Sequence, residues 1–268
     1  MPYFECNGVR LACLDPAEAA FLARDVGAYF DRGARLSPGD TVFDVGANIG
    51  LFTAEVSRRT NGAVSVMAFE PIPPIYAVLH ENASGPIKGD VRTFPFGISS
   101  QEANVQFSYY PLMSFMSSAY RDETNAESET TRAASALRQM IKNGRFMPWM
   151  DKLPTVFLEP FLEGYVKSRM KAQRHTVRVR PLSAVIDEMN IGRIDLLKID
   201  VEGAEEDVLA GIESRHWLRI QQIVLELEKF ESRAADVCQR LSGLGFRVDR
   251  MQDDVQRAGD HGLLFALR

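Results

Sequence analysis

The sequence predicts an α/β fold in which a mostly parallel sheet is covered on both faces by helices. Three apolar runs carry this prediction, and they cover residues 41–45, 64–69 and 194–199. The first run leads into a glycine-rich turn and a helix, and the other two end directly in Glu70 and Asp200. Strands that alternate with helices in this way are typical of a parallel sheet. Both acids are therefore expected at the carboxyl edge of the sheet, where folds of this kind bind ligands.

The composition is that of an ordinary globular protein. The chain has 268 residues, of which 46% are hydrophobic and 25% are charged, and its net charge is −5. It has no block of like charge and no apolar run of about 18 residues, so we expect neither a nucleic acid nor a membrane as partner. The three cysteines are not spaced as metal ligands, and the N-terminus does not resemble a signal peptide. We therefore expect free thiols, no bound metal and a cytoplasmic location.

The first 110 residues are predicted to form an N-terminal helix and then alternating strands and helices. Asp15 can cap a helix over 15–33, and Pro16 suits its first position. The turn Ser37-Pro38-Gly39-Asp40 leads into the first sheet strand, and the proline-rich break after Glu70 starts a new helix. We expect strands at 41–45, 64–69, 91–98 and 103–110, and helices at 49–59 and 74–83.

The stretch from Pro111 to Arg174 interrupts the alternation. It has a helical tendency, is rich in Arg and Lys, and holds six of the ten methionines. Flexible methionine side chains suit a surface that adapts to a partner or to a bulky substrate. We therefore expect a helical insertion at about 111–175 that caps the site, with a satellite helical hairpin as the alternative.

Alternation resumes after the insertion, and the last two strands are expected to form an antiparallel hairpin. One domain over 37–268, preceded by a helical segment over 1–36, is the economical description. The expected strands are 176–180, 194–199, 220–227, 245–250 and 262–267, and the expected helices are 181–190, 203–212 and 231–243.

The turn after the first strand indicates the charge of the ligand. Gly46 and Gly50 allow the backbone to turn tightly and to approach a ligand. The spacing is G-x-N-x-G rather than the G-x-G-x-x-G that binds pyrophosphate, and Asp44 precedes it by two residues. A carboxylate at this place would repel pyrophosphate and favour an ammonium or a sulfonium ion. S-adenosylmethionine has both cations and no phosphate.

Two further strand ends suit a nucleoside. Glu70 can accept hydrogen bonds from both ribose hydroxyls, each worth roughly 1.5–3 kcal/mol, and it would repel a 2′-phosphate. Gly97 and Ile98, which follow Phe96 at the end of the third strand, are candidates for an apolar wall against an adenine ring.

Acids on the later strands are candidates for proton transfer. Asp200 follows a buried strand directly. Glu226 and Glu228 point to the same face of their strand, where an acid within an apolar run is costly unless it is paired or functional. His175 lies where the insertion rejoins the sheet, whereas the remaining histidines, His261 among them, are expected to be structural or exposed.

Three motifs together resemble the FkbM family of S-adenosylmethionine-dependent methyltransferases. The resemblance covers roughly 36–110 and 176–268, and it implies a Rossmann-like class I methyltransferase fold. The motifs are Asp44-Val45-Gly46-Ala47-Asn48-Ile49-Gly50, Phe69-Glu70-Pro71 and Lys198-Ile199-Asp200-Val201-Glu202-Gly203-Ala204-Glu205. The family implies cofactor contacts at Asp44, Gly46, Asn48, Glu70 and Asp200, and the neighbouring candidates are Gly50, Pro71, Gly97 and Ile98.

The segments Pro71-Ile72-Pro73-Pro74-Ile75 and Asn7-Gly8-Val9-Arg10-Leu11 further resemble the subgroup associated with polyketide and nonribosomal-peptide assembly lines. This resemblance implies O-methylation of a hydroxyl on a biosynthetic intermediate or a sugar. The substrate would be a free small molecule or one bound to a carrier protein, with assembly-line proteins as partners. Relatives often carry a histidine two residues after the strand acid, where this chain has Glu228. The proton acceptor is therefore open among Asp200, Glu226, Glu228 and His175.

Three alternatives to an O-methyltransferase stay open at the level of sequence. The first is transfer of the methyl group to nitrogen or carbon, and the second is a non-catalytic module that binds S-adenosylmethionine and docks onto a partner. The third is a nicotinamide-dependent oxidoreductase on the same sheet, against which Asn48 in the glycine turn counts.

Overall fold

The structure is a computed structural model of the chain. It describes residues 1–31, 33–111, 152–169, 172–252, 256–257 and 260–268, together with positions 114, 117, 134, 137–138, 141–142 and 150. Most of the predicted cap at 111–175 therefore lies outside the described residues.

In the described part of the chain, helices and strands alternate over most of the length. In chain order they are β1 (Tyr3–Cys6), β2 (Val9–Ala12), α1 (Pro16–Asp31), β3 (Thr41–Val45), α2 (Leu51–Arg59), β4 (Ser65–Phe69), α3 (Pro73–Ser84), β5 (Asp90–Phe94), β6 (Gly97–Ile98), β7 (Ala103–Tyr109), α4 (Thr155–Arg169), β8 (Gln173–Arg180), α5 (Leu182–Glu188), β9 (Leu196–Ile199), α6 (Glu205–Ala210), the 3₁₀ turn Trp217–Arg219, β10 (Gln222–Glu228), α7 (Phe230–Gly243), β11 (Arg247–Met251) and β12 (His261–Leu267).

A seven-stranded sheet with the order β11-β12-β10-β9-β3-β4-β5 forms the centre of the fold. Strands β5, β4, β3, β9 and β10 pair in parallel, whereas β12 runs antiparallel to both β10 and β11. The chain builds outward from β3 in one direction and then returns to β9 on its other side. The switch point for ligand binding is therefore the gap beyond the carboxyl ends of β3 and β9. The predicted mostly parallel sheet with an antiparallel terminal hairpin is confirmed.

Helices cover both faces of this sheet, as predicted. On one face, Phe43 and Leu197 pack with residues of α5, α6 and α7 in a single core. On the other face, Val42 and Val66 pack with residues of α1, α2 and α3. All four residues of β9, and four of the five in β3 and in β4, are buried, which explains why these strands are mostly apolar, with Asp44 and Lys198 as their charged residues.

The prediction of one strand over 91–98 is wrong. Strand β5 ends at Phe94, and Gly97 and Ile98 belong to a separate three-stranded sheet with the order β6-β8-β7. Pro95 has no N–H to donate to a neighbouring strand, which gives a physical reason for the break. The predicted strand 176–180 begins earlier, at Gln173, and lies in this smaller sheet.

The first twelve residues form a β-hairpin that the sequence analysis did not predict. Asn7 and Gly8 form its two-residue turn, with φ of 49° and 79°, as a type I′ turn requires. The buried side chain of Asn82 in α3 joins this hairpin to the rest of the domain. Its amide accepts from Ala12 N at 2.7 Å and donates to Ala12 O at 3.0 Å and to Ile49 O at 2.8 Å.

Candidate active site

The glycine turn after β3 packs against the ends of both neighbouring strands. Gly46 has a φ of 76°, and a Cβ at this position would lie 1.7 Å from the carbonyl oxygen of Asp200. The backbone N–H groups of Gly46 and Ala47 both donate to Phe69 O, at 3.1 and 2.9 Å. Glycine is therefore required here because the protein's own backbone fills the space, rather than only because a ligand approaches.

Asn48 and Glu70 connect this turn to the end of β4. Asn48 adopts a left-handed conformation, and its backbone N–H donates to Oε2 of Glu70 at 3.1 Å, while Ile72 N donates to Oε1 at 2.9 Å. Burial raises the pKa of Glu70 to about 7, although these two hydrogen bonds and Lys198 act in the opposite direction. Each carboxylate oxygen can accept a further hydrogen bond, so Glu70 can still bind the hydroxyls of a ligand.

Lys198 forms ion pairs with the two aspartates at the switch point. Its Nζ donates to Gly46 O at 2.6 Å and lies 3.2 Å from both Asp44 Oδ1 and Asp200 Oδ2. Asp44 is fully buried and also accepts from Thr53 Oγ1 at 2.7 Å. Burial acts to lower the pKa of Lys198, but Asp200 and Asp44 outweigh it and raise the pKa above its ordinary value. Lys198 therefore stays charged, and it joins β9, the glycine turn and both acids.

Asp200 and Gly50 lie in the loops that follow β9 and β3, and these loops border the crevice expected at the switch point. The side chain of Asp200 is 28% exposed, in contrast to Asp44, so it can reach a ligand. Gly50 directly precedes α2, and its N–H donates to Ala47 O at 2.8 Å.

The candidates for an adenine wall lie beside Glu70. Gly97 and Ile98 are buried, and a Cβ on Gly97 would lie 3.4 Å from the ring of Pro71. Phe96 belongs to the core, because its ring is 5.8 Å from that of Phe69. The structure thus brings Pro71, Gly97 and Ile98 together, and their contact with a cofactor stays a prediction.

Glu226 contacts residues from both ends of the chain. Tyr29 in α1 donates its O–H to Oε2 of Glu226 at 2.9 Å, and His261 Nε2 lies 3.6 Å from Oε1. Burial and then Asp200 raise the pKa of Glu226 to about 8, while the hydrogen bond from Tyr29 acts to lower it. The side chain nevertheless keeps 27% of its surface exposed, so a substrate proton can reach it.

Further acids surround Glu226. Glu202 has a left-handed backbone conformation, with a φ of 52°. Helix α6 begins after it, at Glu205, which is two residues later than the predicted start at 203. Burial, together with Glu228, Asp200 and Glu226, raises the pKa of Glu202 well above its ordinary value. Glu228 lies two residues after Glu226 on β10, on the same face. Glu205 is structural, because it is fully buried and its two oxygens bind Gly203 N at 2.7 Å and Arg233 at 2.9 Å.

His175 lies apart from the other candidate proton acceptors. It is in β8, opposite Phe107 in the small sheet, and its ring meets that of Tyr109 edge-on at 5.6 Å. Asp200, Glu226 and Glu228 instead follow or end strands of the main sheet. The contacts of His175 therefore do not support its predicted role in proton transfer.

Sequence reasoning missed three residues of this site: Lys198, Tyr29 and His261. Lys198 was visible as a charge inside a buried run, which is costly without partners. His261 was expected to be structural or exposed, yet the antiparallel β12 starts where β10 ends and places it opposite Glu228. Tyr29 gave no local signal, since it lies 197 residues from Glu226.

The charge of the crevice fits a cationic ligand better than a phosphate. Asp44, Glu70 and Asp200 supply carboxylates around a single lysine, and Glu226, whose pKa is raised to about 8, adds an ionisable carboxyl group beside them. A pyrophosphate would be repelled by this set, whereas a sulfonium or ammonium group would be attracted. Within the described residues, no group of three or more His, Cys, Asp or Glu side chains could hold a metal ion. No helix among them is long and apolar enough to cross a membrane.

Known proteins are similar to this chain in sequence and in fold. The chain is 35% identical over 93% of its length to the 31-O-demethyl-FK506 methyltransferase FkbM of Streptomyces tacrolimicus, of which it covers 90%. It is also 33% identical over 98% of its length to the AMB antimetabolite synthetase AmbE of Pseudomonas aeruginosa, but it spans only 12% of that protein. The crystal structure of a methyltransferase FkbM from Methylobacillus flagellatus has the same fold, with a TM-score of 0.50 at 14% identity over 96% of this chain and 56% of that one.

The model of the methyltransferase FkbM domain matches residues 44–248, a range that includes the glycine turn, Glu70, Asp200 and Glu226. The chain therefore belongs to the FkbM family of methyltransferases, and its cofactor is S-adenosylmethionine.

Proposed function

We propose that the chain is an O-methyltransferase in which Glu226 accepts the proton of a substrate hydroxyl. The observation that supports this most directly is the state of Glu226. It is a partly exposed carboxylate at the carboxyl end of β10, its pKa is raised to about 8, and its Oε2 already accepts from Tyr29. A base whose pKa lies close to the working pH is well matched to general base catalysis.

The cofactor would be held at the switch point between β3 and β9. Glu70 would bind the ribose hydroxyls with the lone pairs that the backbone N–H groups of Asn48 and Ile72 leave free. Asp200, which is partly exposed, would face the positively charged part of the cofactor, while Lys198 holds Asp200 and the buried Asp44 in place. When bound, S-adenosylmethionine supplies an activated methyl group, so the protein's task is alignment and exclusion of water.

Glu226 would take up the hydroxyl proton on a carboxylate oxygen as the substrate oxygen becomes nucleophilic. Asp200 and Glu228 disfavour a negative charge on Glu226, whereas Lys198 and the Tyr29 hydrogen bond favour it. Since only the ionised form can accept a proton, turnover should rise with pH towards about 8 and level off above it.

The relatives support a hydroxyl on a natural product as the acceptor. The name of the Streptomyces protein describes methylation of an oxygen of an FK506 precursor. The Pseudomonas protein is an antimetabolite synthetase whose length far exceeds that of this chain. We therefore propose an intermediate of natural-product or sugar biosynthesis, either free or bound to a carrier protein, with assembly-line proteins as partners.

Two alternatives keep to the same cofactor. Transfer to nitrogen or carbon would need a different substrate in the same crevice, and a non-catalytic module would bind S-adenosylmethionine without turnover. The oxidoreductase alternative is set aside, because the chain belongs to a methyltransferase family.

The test is the variant Glu226→Gln, assayed with radiolabelled S-adenosylmethionine against a panel of hydroxylated acceptors that includes 31-O-demethyl-FK506. For the best acceptor, we expect kcat to fall by about 10² to 10⁴-fold, because a positioned base contributes on this scale. The affinity for S-adenosylhomocysteine, measured by calorimetry, should stay within about threefold, since Glu226 does not hold the cofactor in this proposal.

The exposed Glu163 in α4 provides the control, and Glu163→Gln should match the parent protein in both measurements. Wild-type turnover by Glu226→Gln would exclude Glu226 as the proton acceptor. Methylation at nitrogen or carbon, located in the product by mass spectrometry, would exclude the O-methyltransferase.

A further inference from the structure

The N-terminal helix α1 donates a hydrogen bond to the proposed proton acceptor. The phenolic O–H of Tyr29 lies 2.9 Å from Oε2 of Glu226. Tyr29 is outside the range 44–248 that the family model matches. A part of the chain beyond the matched domain therefore contacts the site directly.

Aromatic packing between α1 and α2 fixes the position of this hydroxyl. Tyr29 is only 8% exposed, and its ring meets Phe52 edge-on, with ring centres 5.6 Å apart. Phe30 stacks on the same Phe52 ring at 5.5 Å, and the guanidinium of Arg59 lies 4.4 Å from the centre of the Phe30 ring. Tyr29 therefore presents its O–H from a rigid support, as precise positioning requires.

Tyr29 acts as a donor throughout the working range of pH. Burial first, and then the charges of Glu226 and Asp200, raise the pKa of its phenol well above the ordinary value. A neutral phenol can only favour the ionised form of a carboxylate to which it donates. Other charged or titratable groups also surround Glu226. They are Glu228 on the same strand, Lys198 on β9, Asp200 and Glu202 in the loop after β9, and His261 on β12.

We propose that Tyr29 is a positioning residue for methyl transfer. Its hydroxyl holds Oε2 of Glu226, so that Oε1 is the atom that accepts the substrate proton. This inference rests on the proposed function of Glu226. The geometry supports it because the two oxygens differ: Oε2 is occupied by the phenol, whereas Oε1 lies 3.6 Å from His261 Nε2, beyond hydrogen-bond distance. Among the described residues no group donates a hydrogen bond to Oε1, so it is the oxygen that is left for a hydroxyl of the substrate.

The variant Tyr29→Phe tests the proposal, because it keeps the ring and removes only the hydroxyl. The lost hydrogen bond favoured the ionised carboxylate, so the midpoint for ionisation of Glu226 should rise by about one pH unit. Carbon-13 NMR of protein labelled at the glutamate carboxyls measures this midpoint without any substrate. The signal of Glu226 is assigned by its loss in Glu226→Gln.

The same variant should turn over about tenfold more slowly near neutral pH, with a smaller difference above both midpoints. Its affinity for S-adenosylhomocysteine should not change. In the Glu226→Gln background, Tyr29→Phe should have almost no further effect on kcat, because the two residues act as a unit. The exposed Tyr3, whose O–H donates to Glu81 at 2.7 Å, provides a matched control, and Tyr3→Phe should leave the titration of Glu226 unchanged.

The outcomes separate the two proposals. An unchanged Glu226 midpoint in Tyr29→Phe, while Glu226→Gln is slow, overturns the role of Tyr29 and leaves the proposed function intact. Wild-type turnover by Glu226→Gln overturns the proposed function, whatever the NMR shows. Additive losses in the double variant would mean that the Tyr29 hydroxyl does not act through Glu226, which also overturns its role. Should Tyr29→Phe fail to fold, 3-fluorotyrosine is placed at position 29 instead. Its phenol is a stronger hydrogen-bond donor, so it must lower the midpoint for ionisation of Glu226. A rise or no change in that midpoint refutes the proposal.

Discussion

Replacement of Lys198 by methionine should destabilise the protein more than any exposed lysine substitution. The side chain of Lys198 is only 4% exposed, and its Nζ has three partners: Gly46 O at 2.6 Å and the carboxylates of Asp44 and Asp200, both at 3.2 Å. Methionine preserves most of the apolar stem and removes the charge. It therefore leaves two neighbouring carboxylates and one carbonyl without their common donor.

The magnitude follows from the burial of these groups. At 3.2 Å, each ion pair is worth roughly 5 kcal/mol of Coulomb attraction for an effective dielectric constant of about 20. Much of this is offset by the cost of removing the charges from water, and Asp200 is partly screened because it is 28% exposed. Loss of one partner of a buried ion pair typically costs about 3–5 kcal/mol, and we expect a value in this range.

The assay is unfolding in urea, followed by circular dichroism, with the free energy of unfolding extrapolated to water. The exposed Lys88 is the matched control, and Lys88→Met should change the free energy of unfolding by no more than about 0.5 kcal/mol. A loss below about 1 kcal/mol would refute the view that Lys198 compensates both aspartates.

Two further predictions concern the cofactor site and the N-terminal hairpin. Glu70→Ala should weaken binding of S-adenosylmethionine by at least about 100-fold, since two charge-assisted hydrogen bonds are lost, and calorimetry measures this. The raised pKa of Glu70 is about 7, so the ionised fraction of Glu70 falls as the pH drops below 7. The affinity of the unmodified protein for S-adenosylmethionine should therefore fall by up to about tenfold per pH unit. A pH-independent affinity would show that the charge of Glu70 does not take part in binding. Asn82→Ala should reduce the free energy of unfolding by about 2–4 kcal/mol, because it leaves Ala12 N, Ala12 O and Ile49 O unpaired in the interior. A loss no larger than that of an exposed substitution would contradict this role of Asn82.

Strand ends were the part of the site that the sequence predicted best. Gly46, Glu70 and Asp200 each follow a buried apolar run directly, and all parallel strands deliver their carboxyl ends to one edge. Local sequence therefore sufficed to bring these residues together. The strand predicted over 91–98 failed for a local reason, because Pro95 interrupts it.

The N-terminal hairpin was missed although its signal was present. Asn7-Gly8 between two short apolar runs favours a type I′ turn, but each strand has only four residues and no alternation strong enough to stand out. Most of the predicted cap lies outside the described residues, so its place above the site stays a prediction.

The amino-acid sequence by itself determined the order of strands and helices, the acidic edge of the sheet and the family to which the chain belongs, because these depend on short-range patterns of apolar residues, glycines and acids. Only the tertiary structure decided that Lys198 compensates Asp44 and Asp200, and that Tyr29 and His261 meet at Glu226. Except for the pair Lys198 and Asp200, which are two positions apart, those contacts join residues far apart in the chain. They arise from strand order and from the packing of α1 on α2, which no local pattern encodes.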